Sequence, residues 1–361
     1  MGTIVPMRLR VTNLSAGHPA GIRFAAALMI GAFSVALACV ASVGDGAPSP
    51  QALAALRTAV EWSRAGKTVS GSYEYTMTAR ARLLFFWVTR DDVGSGTIRR
   101  GPVPEDPQRE LISLLIGSDP AKAPRRINRW GAAQEVIHHS PDAASTVDAS
   151  AFFGFMTRAA GESSAADLEK QMADEKAGKR FQYQAVVSLL DADSGIAKTV
   201  PFATARELDI NQLAPMRDEV FAELEGGAGK FRETTAALRQ RCPRLGGFLA
   251  SVAELADGAV LHGTRAGRLC YLHYGELYTL ALKRCEPVPE KRVTLQLKTE
   301  PKNFDRTYRD LLRLEFEVLN HQTARKSEFA MLVATTGERR GVPVEITYQP
   351  NWWFQVILHL K

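Results

Sequence analysis

Between Tyr73 and Leu83 the chain alternates without a break: Tyr73, Tyr75, Met77, Ala79, Ala81 and Leu83 are set against Glu74, Thr76, Thr78, Arg80 and Arg82. Successive side chains of a β-strand point to opposite faces, so the run predicts one long strand with a dry face and a wet one. Such a strand commits the chain to a sheet, because its unpaired backbone and apolar face both need partners. From Leu83 to Val88 (Leu-Leu-Phe-Phe-Trp-Val) both faces turn apolar. This end is therefore expected to be covered on both sides or to face a hydrophobic ligand. Asp91 to Gly96 reads as the turn, and Thr97 to Arg100 as the start of the return strand. In this phase Phe85 and Trp87 continue the buried face, and Phe86 points the other way as a candidate ligand contact.

The partners for that strand stand mostly in the last hundred residues. Arg268–Leu272, Leu277–Lys283, Val293–Leu297, Leu311–Leu319, Glu328–Thr335, Val342–Tyr348 and Trp353–Leu360 read as strands. Short turns such as Tyr274-Gly275 and Asn320-His321-Gln322 join several of them into an antiparallel meander. In the hairpin turning at Tyr274-Gly275, Cys270 faces Thr279. The middle reads differently. Phe181–Leu190 and Ile196–Phe202 form an expected hairpin, and Glu110–Ile116 a short apolar element. Helices are expected over Pro50–Arg64, Glu207–Leu224, Lys230–Arg241 and Leu245–Leu255. The expected fold is thus α+β: an antiparallel β-meander or partial barrel built from both ends of the chain, with inserted helices. Residues 50–361 form one β-rich domain with the helical insertion around 205–257.

Ahead of that domain, residues 1–23 are polar and basic, and Phe24 to Val43 runs 20 residues without a charge before prolines 48 and 50. A basic region, an apolar stretch and small residues at its end describe a secretory signal peptide over residues 1–43, with Ala36-Leu37-Ala38 as the cleavage pattern. The length also allows an N-terminal anchor or a buried helix. Cys39, directly after Leu37-Ala38, is a candidate lipidation site. Export to the periplasm or cell envelope is the expectation, with membrane association through the N-terminus. An oxidising compartment permits one disulfide among Cys242, Cys270 and Cys285. The hairpin register keeps Cys270 away from Cys285, so a bridge is expected to use Cys242.

Charge narrows the partners. Of the 45 basic residues, Arg8, Arg10 and Arg23 precede Cys39, which leaves 42 against 39 acidic residues. That balance does not point to a nucleic-acid binder. Catalytic signatures fail one by one. Gly66-Lys67-Thr68 lacks the glycine that a phosphate loop needs five residues before Gly66, where Glu61 stands. Asp191-Ala-Asp-Ser-Gly195 lacks the bidentate glutamate of a calcium loop, since Phe202 occupies its place. No GxSxG elbow and no HExxH occur. His138 and His139 are adjacent and share no strand face. No cofactor or metal site is expected.

Two features remain. Lys122-Ala-Pro-Arg125-Arg126-Ile-Asn-Arg129-Trp130 places four cations beside an aromatic. It suits an anionic head group, with Arg125, Arg126, Arg129 and Trp130 as candidate contacts. The other is the aromatic load of the strands, which could pack a core or line a hydrophobic pocket. The run Gly117–Gly131 and the ending Val342–Leu358 resemble uncharacterised exported bacterial proteins. The last ninety or so residues also resemble periplasmic β-rich domains of unknown function, related in shape to lipoprotein-carrier half-barrels. That resemblance implies a compartment and a β-rich fold and carries no catalytic residue. The leading expectation is an exported cell-envelope protein, not an enzyme, that binds a hydrophobic or anionic amphipathic ligand or a partner protein. The alternative is a secreted hydrolase with a dispersed site, which a mutually hydrogen-bonded His, Ser and carboxylate would favour.

Overall fold

The structure is a computed structural model that describes residues 71–83, 86–103, 106–124, 130–139, 145–155, 183–191, 196–204, 232–233, 236–242, 247–273, 276–298, 301–351 and 353–361. The leader expected over residues 1–43, Cys39, the helices expected over Pro50–Arg64 and Glu207–Leu224, and Arg125, Arg126 and Arg129 lie outside the described residues.

Fourteen strands form one antiparallel sheet. The first eight are β1 (Gly71–Leu83), β2 (Phe86–Val103), β3 (Asp106–Ser118), β4 (Trp130–His138), β5 (Thr146–Phe155), β6 (Tyr183–Asp191), β7 (Ile196–Thr204) and β8 (Arg232–Glu233). The remaining six are β9 (Gly267–His273), β10 (Glu276–Gln296), β11 (Asn303–Asn320), β12 (Lys326–Ala334), β13 (Pro343–Asn351) and β14 (Phe354–Leu360). The spatial order β8-β7-β6-β5-β4-β3-β2-β1-β14-β13-β12-β11-β10-β9 shows two meanders zipped together by β1 and β14, with Tyr75 opposite Leu360 and Ala81 opposite Phe354. Between the meanders run a short helix α1 (Ala236–Arg241) and a longer α2 (Phe248–His262).

This overturns the expected α+β class with inserted helices: the described fold is nearly all sheet, with one helix of any length. The middle of the chain misled for a physical reason. Leu111, Ile112, Leu114, Leu115 and Ile116 of β3 serve both faces of a covered strand, so the run shows no alternation. Gly131, Ala132 and Ala133 of β4 carry none of the branched or aromatic residues that mark strands.

The first hairpin also differs from its expected phase. β1 ends at Leu83, which pairs with Phe86 at the start of β2, so the chain reverses between them. Asp91 to Gly96 is not the turn but lies inside β2, where the register shifts opposite Met77–Ala79. Asp92 takes a positive φ of 50° there. Gly94 is needed beside it, since a Cβ would stand 2.1 Å from the Gly117 carbonyl. Reversal moves the aromatics: Phe86 and Val88 now share the face of Ala81, while Trp87 lies on the opposite face under Arg80, 5.2 Å away.

Helix α2 packs against β3 and β4 and also against β9 and β10, which stand at least seven places away from them in the strand order. One helix can touch both only if the sheet rolls around it. The concave face therefore wraps α2. Its core includes Leu280, Leu314, Phe316 and Met331 with Leu255, Ala256 and Ala259 of the helix, and Phe316 stacks on Phe329 at 4.8 Å.

The convex face is covered from the same chain. Beyond Pro287 and Leu311, β10 and β11 outrun their neighbours β9 and β12 and pair only with each other. This arm lies over β13, β14, β1 and β2: Tyr308 donates to the Leu360 carbonyl at 2.7 Å, and the Gln296 and Lys298 amides donate to Asp91 and Asp92 at 3.2 and 2.8 Å. Val293, Leu295 and Tyr308 bring its apolar share. Thr76 and Thr78, the wet side of the alternating run, are thus 2% exposed although polar. Cys242, just after α1, is joined by a disulfide to Cys270 of β9, and Cys285 is a free thiol. Cys270 stands opposite Thr279.

Candidate functional site: an apolar cavity under the central helix

The rolled sheet leaves a gap on its concave face. A cavity of ≈ 180 Å³ lies between α2 and the strands that face it. Met77 and Ile98 of β1 and β2, Leu114 and Ile116 of β3, Phe329 and Met331 of β12, and Val356 and Leu358 of β14 form the sheet side. Phe248, Leu249, Val252, Ala253 and Ala256 form the helix side. Alternation explains the chemistry: inward-facing residues of seven neighbouring strands, β4 to β12 in the strand order, line it, and most are aliphatic or aromatic. Small residues at Gly131, Ala253 and Ala256 leave the space unfilled. An apolar cavity of about 150 Å³ stays dry and accepts a benzene-sized guest, so this one fits a short alkyl or aryl segment.

Two polar devices hold the helix over the cavity. At its N-terminus, Glu135 of β4 is 2% exposed and receives the Ala250 amide at 2.8 Å and the Ser150 hydroxyl at 3.4 Å. No side chain of the helix itself caps that end, because Gly247 stands at the cap position. Glycine leaves room there for the Glu135 carboxylate, which a Cβ would meet at 2.2 Å and displace. Burial dominates the carboxyl group and pushes its pKa up to about 7, although the amides of Ala250, Leu249 and Phe248 and the Ser150 hydroxyl pull it down. Two turns along, Asp257 takes Arg100 of β2 at 2.7 and 3.1 Å. Arg100 also donates to Glu110 of β3 at 2.7 Å. Burial works against the Arg100 cation, but the two carboxylates outweigh it and raise its pKa. Burial likewise works against the Glu110 anion, and Arg100 followed by His139 brings its pKa below the usual value.

Glu110 has a further partner. His139 Nε2 lies 3.0 Å from its carboxylate, and His139 Nδ1 lies 3.0 Å from the Ser145 hydroxyl. Serine, histidine and carboxylate therefore stand in a hydrogen-bonded chain at the rim, next to the cavity-lining Arg100. In the sequence His139 is one of two adjacent histidines that share no strand face, and Ser145 carries no signature. Only the antiparallel return of β4 beside β3 brings residues 110 and 139 together.

The sequence-predicted candidates fall as follows. Phe86 is 58% exposed, at the end of the β1–β2 hairpin, away from the cavity lining but on the same sheet face. Trp130 opens β4 opposite Gly117. Lys122 pairs with the buried Asp92 at 3.0 Å, so it is committed to the convex side. Sequence reading missed Glu135, Arg100 and Asp257, single charged residues with no spacing to mark them. A charge at an inward position of an apolar strand, as at Glu135 between Ala133 and Ile137, is the signal that could have found the first.

No family model and no curated protein matches the chain. Among solved structures, it is similar to the crystal structure of a β-barrel-like protein of a domain of unknown function, DUF1849, from Brucella abortus. The TM-score is 0.36 with 9% identity, covering 80% of this chain and 95% of that one.

Proposed function

We propose that this protein is an exported cell-envelope protein that holds the apolar part of an amphipathic ligand between α2 and the concave sheet. The observation that carries the reading is the cavity itself: an unfilled, almost wholly apolar space under a helix fastened at its rim by Glu135 and by Asp257–Arg100. A void in a close-packed interior forfeits dispersion contacts, so one lined from seven strands and a helix without a filler side chain suits a guest. The polar rim gives an amphipathic guest a place for its head group. The leader over residues 1–43 and the Cys242–Cys270 bridge support export. The half-barrel shape suggested by the sequence resemblance is compatible with such a carrier role. Cleavage before Cys39, lipidation on it, or retention as an anchor are three forms of the same exported protein.

The test is to extract the protein from its native host and identify by mass spectrometry what co-purifies, with Ala253→Phe beside the wild type. The reading expects an alkyl-bearing compound with the wild type and its loss from the filled variant. An empty wild type that also fails to take up a fluorescent fatty acid would sink it.

A second reading has one specific observation in its favour, the Ser145–His139–Glu110 chain. Drawn as a hydrolase, Glu110 orients the imidazole through Nε2 and Nδ1 takes the Ser145 proton. Chromogenic short-chain esters decide it: turnover abolished by both Ser145→Ala and His139→Ala supports hydrolysis. Equal background in all three proteins leaves the chain as a brace between β3 and the start of β5.

A further inference from the structure

Among the described residues three large hydrophobic side chains are strongly exposed, and two of them, Phe86 at 58% and Val88 at 38%, lie in one hairpin end. Scattered exposed apolar residues are ordinary, but two on one face of one strand end call for an account. Their surroundings supply it. Trp87 stands on the other face under Arg80, and Trp353 lies beside the hairpin, its carbonyl accepting the Arg82 amide at 2.7 Å. Arg80, Arg82 and Arg90 fall within this end. No carboxylate occurs from Ala79 to Arg90, nor from Ile346 to Lys361 in the strands that adjoin it. The next acids along the chain, Asp91 and Asp92, are engaged by Thr78, Lys122 and the amides of the β10–β11 arm.

We propose that the end of the β1–β2 hairpin that carries Arg80, Arg82 and Phe86–Arg90, with the adjoining Trp353, docks on a bilayer surface that carries anionic lipid. The chemistry fits each layer of such a surface. Phe86 and Val88 enter the acyl boundary, Trp87 and Trp353 take the interfacial position that indole rings favour, and the arginines meet the phosphates. Charge complementarity selects this occupant: an end whose strands carry three arginines and, from Ala79 to Arg90 and Ile346 to Lys361, no acidic side chain suits an anionic surface better than a second, equally cationic copy of itself.

The docking end is also connected to the cavity. Phe86 and Val88 share the sheet face of Ala81 and Ala79, and these continue along β1 to the cavity-lining Met77. Both alanines are half-buried and have the smallest side chains on that face, so they form a low apolar floor from tip to cavity. Resting on the ligand-binding reading, docking here would place the cavity within reach of a membrane-borne ligand.

The experiment is co-sedimentation of the full chain with vesicles of phosphatidylcholine alone or with added phosphatidylglycerol, without ligand. Each variant is compared in the same full chain, so that any contribution of residues 1–43 is common to all. The proposal expects Phe86→Ser/Val88→Ser to weaken binding to both vesicle types about tenfold or more. Arg82→Gln/Arg90→Gln should weaken only the anionic case, by about fivefold per cation removed. Leu261→Ser, the third exposed apolar side chain, sits in the last turn of α2 and serves as the control; it should bind as wild type. Unchanged thermal midpoints show that the variants fold. Tip variants that bind like wild type overturn the proposal. So does a wild-type dimer in solution that the tip variants dissolve, since the patch would then serve a second copy. Ligand retention by the tip variants is measured separately, and its loss or survival bears on the cavity alone.

Discussion

Two carboxylates, Glu135 and Glu345, are buried on opposite faces of one sheet, and the fold shifts them in opposite directions. Glu135, on the concave face, meets only dipoles: backbone amides at the start of α2 and one hydroxyl. Burial wins, and its pKa rises to about 7. Glu345, on the convex face, is 7% exposed and has Lys291 Nζ at 3.3 Å and His359 Nδ1 at 3.4 Å. Burial acts on it too, but His359 and Lys291 outweigh that and its pKa falls. The His359 contact is long and poorly aligned, leaving that nitrogen without a good hydrogen-bond partner. The difference teaches how each face is held. The convex face is sealed by the β10–β11 arm, and the concave face by a helix held by dipoles at its start, by the Asp257–Arg100 ion pair two turns along, and by incomplete apolar packing. The looser face is the one that can admit a guest.

The largest expected effect tests the packed part of the concave face. Phe316 is 1% exposed and stacks on Phe329, so Phe316→Ala should cost about 3–5 kcal/mol in denaturant melts. A much smaller loss would mean that the concave face is loose throughout and not only at the cavity.

Stability against pH separates the two carboxylates next. For Glu135 the folded pKa exceeds the unfolded 4.5, so the folded state holds the proton more tightly. Its contribution is complete below pH 4.5 and lost as pH rises through about 7, a decline on the order of 3 kcal/mol. Glu135→Gln keeps an acceptor for the helix amides and should flatten that decline. Glu345 has the opposite sign: its contribution is present above 4.5 and lost as pH falls through the lowered folded value. Glu345→Gln should flatten only the acid limb. Urea melts across pH check both, and one limb flattened by both variants would refute the opposition.

A smaller contrast lies within α2. Ala259 packs against Leu255 and the β9–β10 side, whereas Ala253 lines the cavity. Ala259→Leu overfills a closed site and should cost about 1–3 kcal/mol, while Ala253→Leu enters a void and should cost under about 1 kcal/mol. Thermal melts of the two variants measure the gap, and equal losses would show that the cavity does not accommodate extra volume.

How much of this was legible follows from what each residue reports locally. The C-terminal meander was legible because alternation and turn residues act over a few positions; the Cys270–Thr279 pairing follows from them. Two expected strands, Leu277–Lys283 and Val293–Leu297, proved to be parts of the single long β10, since Glu286, Glu290 and the prolines between them mark an exposed arm and not a break. The inner lining was hidden for the opposite reason. Membership depends on which strands become neighbours, and β1 meets β14 only through the closure of the two ends. Glu110 and His139, and Arg100 and Asp257, are likewise brought together by topology and carry no local signature.

The smallest expected effect concerns Phe86, on the same sheet face as Phe316 by the sheet's register but at its open end. A single strand reading through Leu83–Val88 puts Phe85 and Trp87 in the core and leaves Phe86 to meet a ligand or an inserted helix. With the chain reversed after Leu83, Phe86 takes the inward-facing phase yet lies beyond the reach of α2, 58% exposed. Its contacts are therefore few in the folded state and not very different from those in the unfolded chain. Truncation should accordingly change stability by no more than about 0.5 kcal/mol, the usual range for surface positions. Denaturant melts of Phe86→Ala beside Phe316→Ala make the comparison within one protein. A loss at Phe86 approaching that at Phe316 would mean that something covers the hairpin end in solution. In that case the tip would be a packed element of the fold and could not serve as a docking surface.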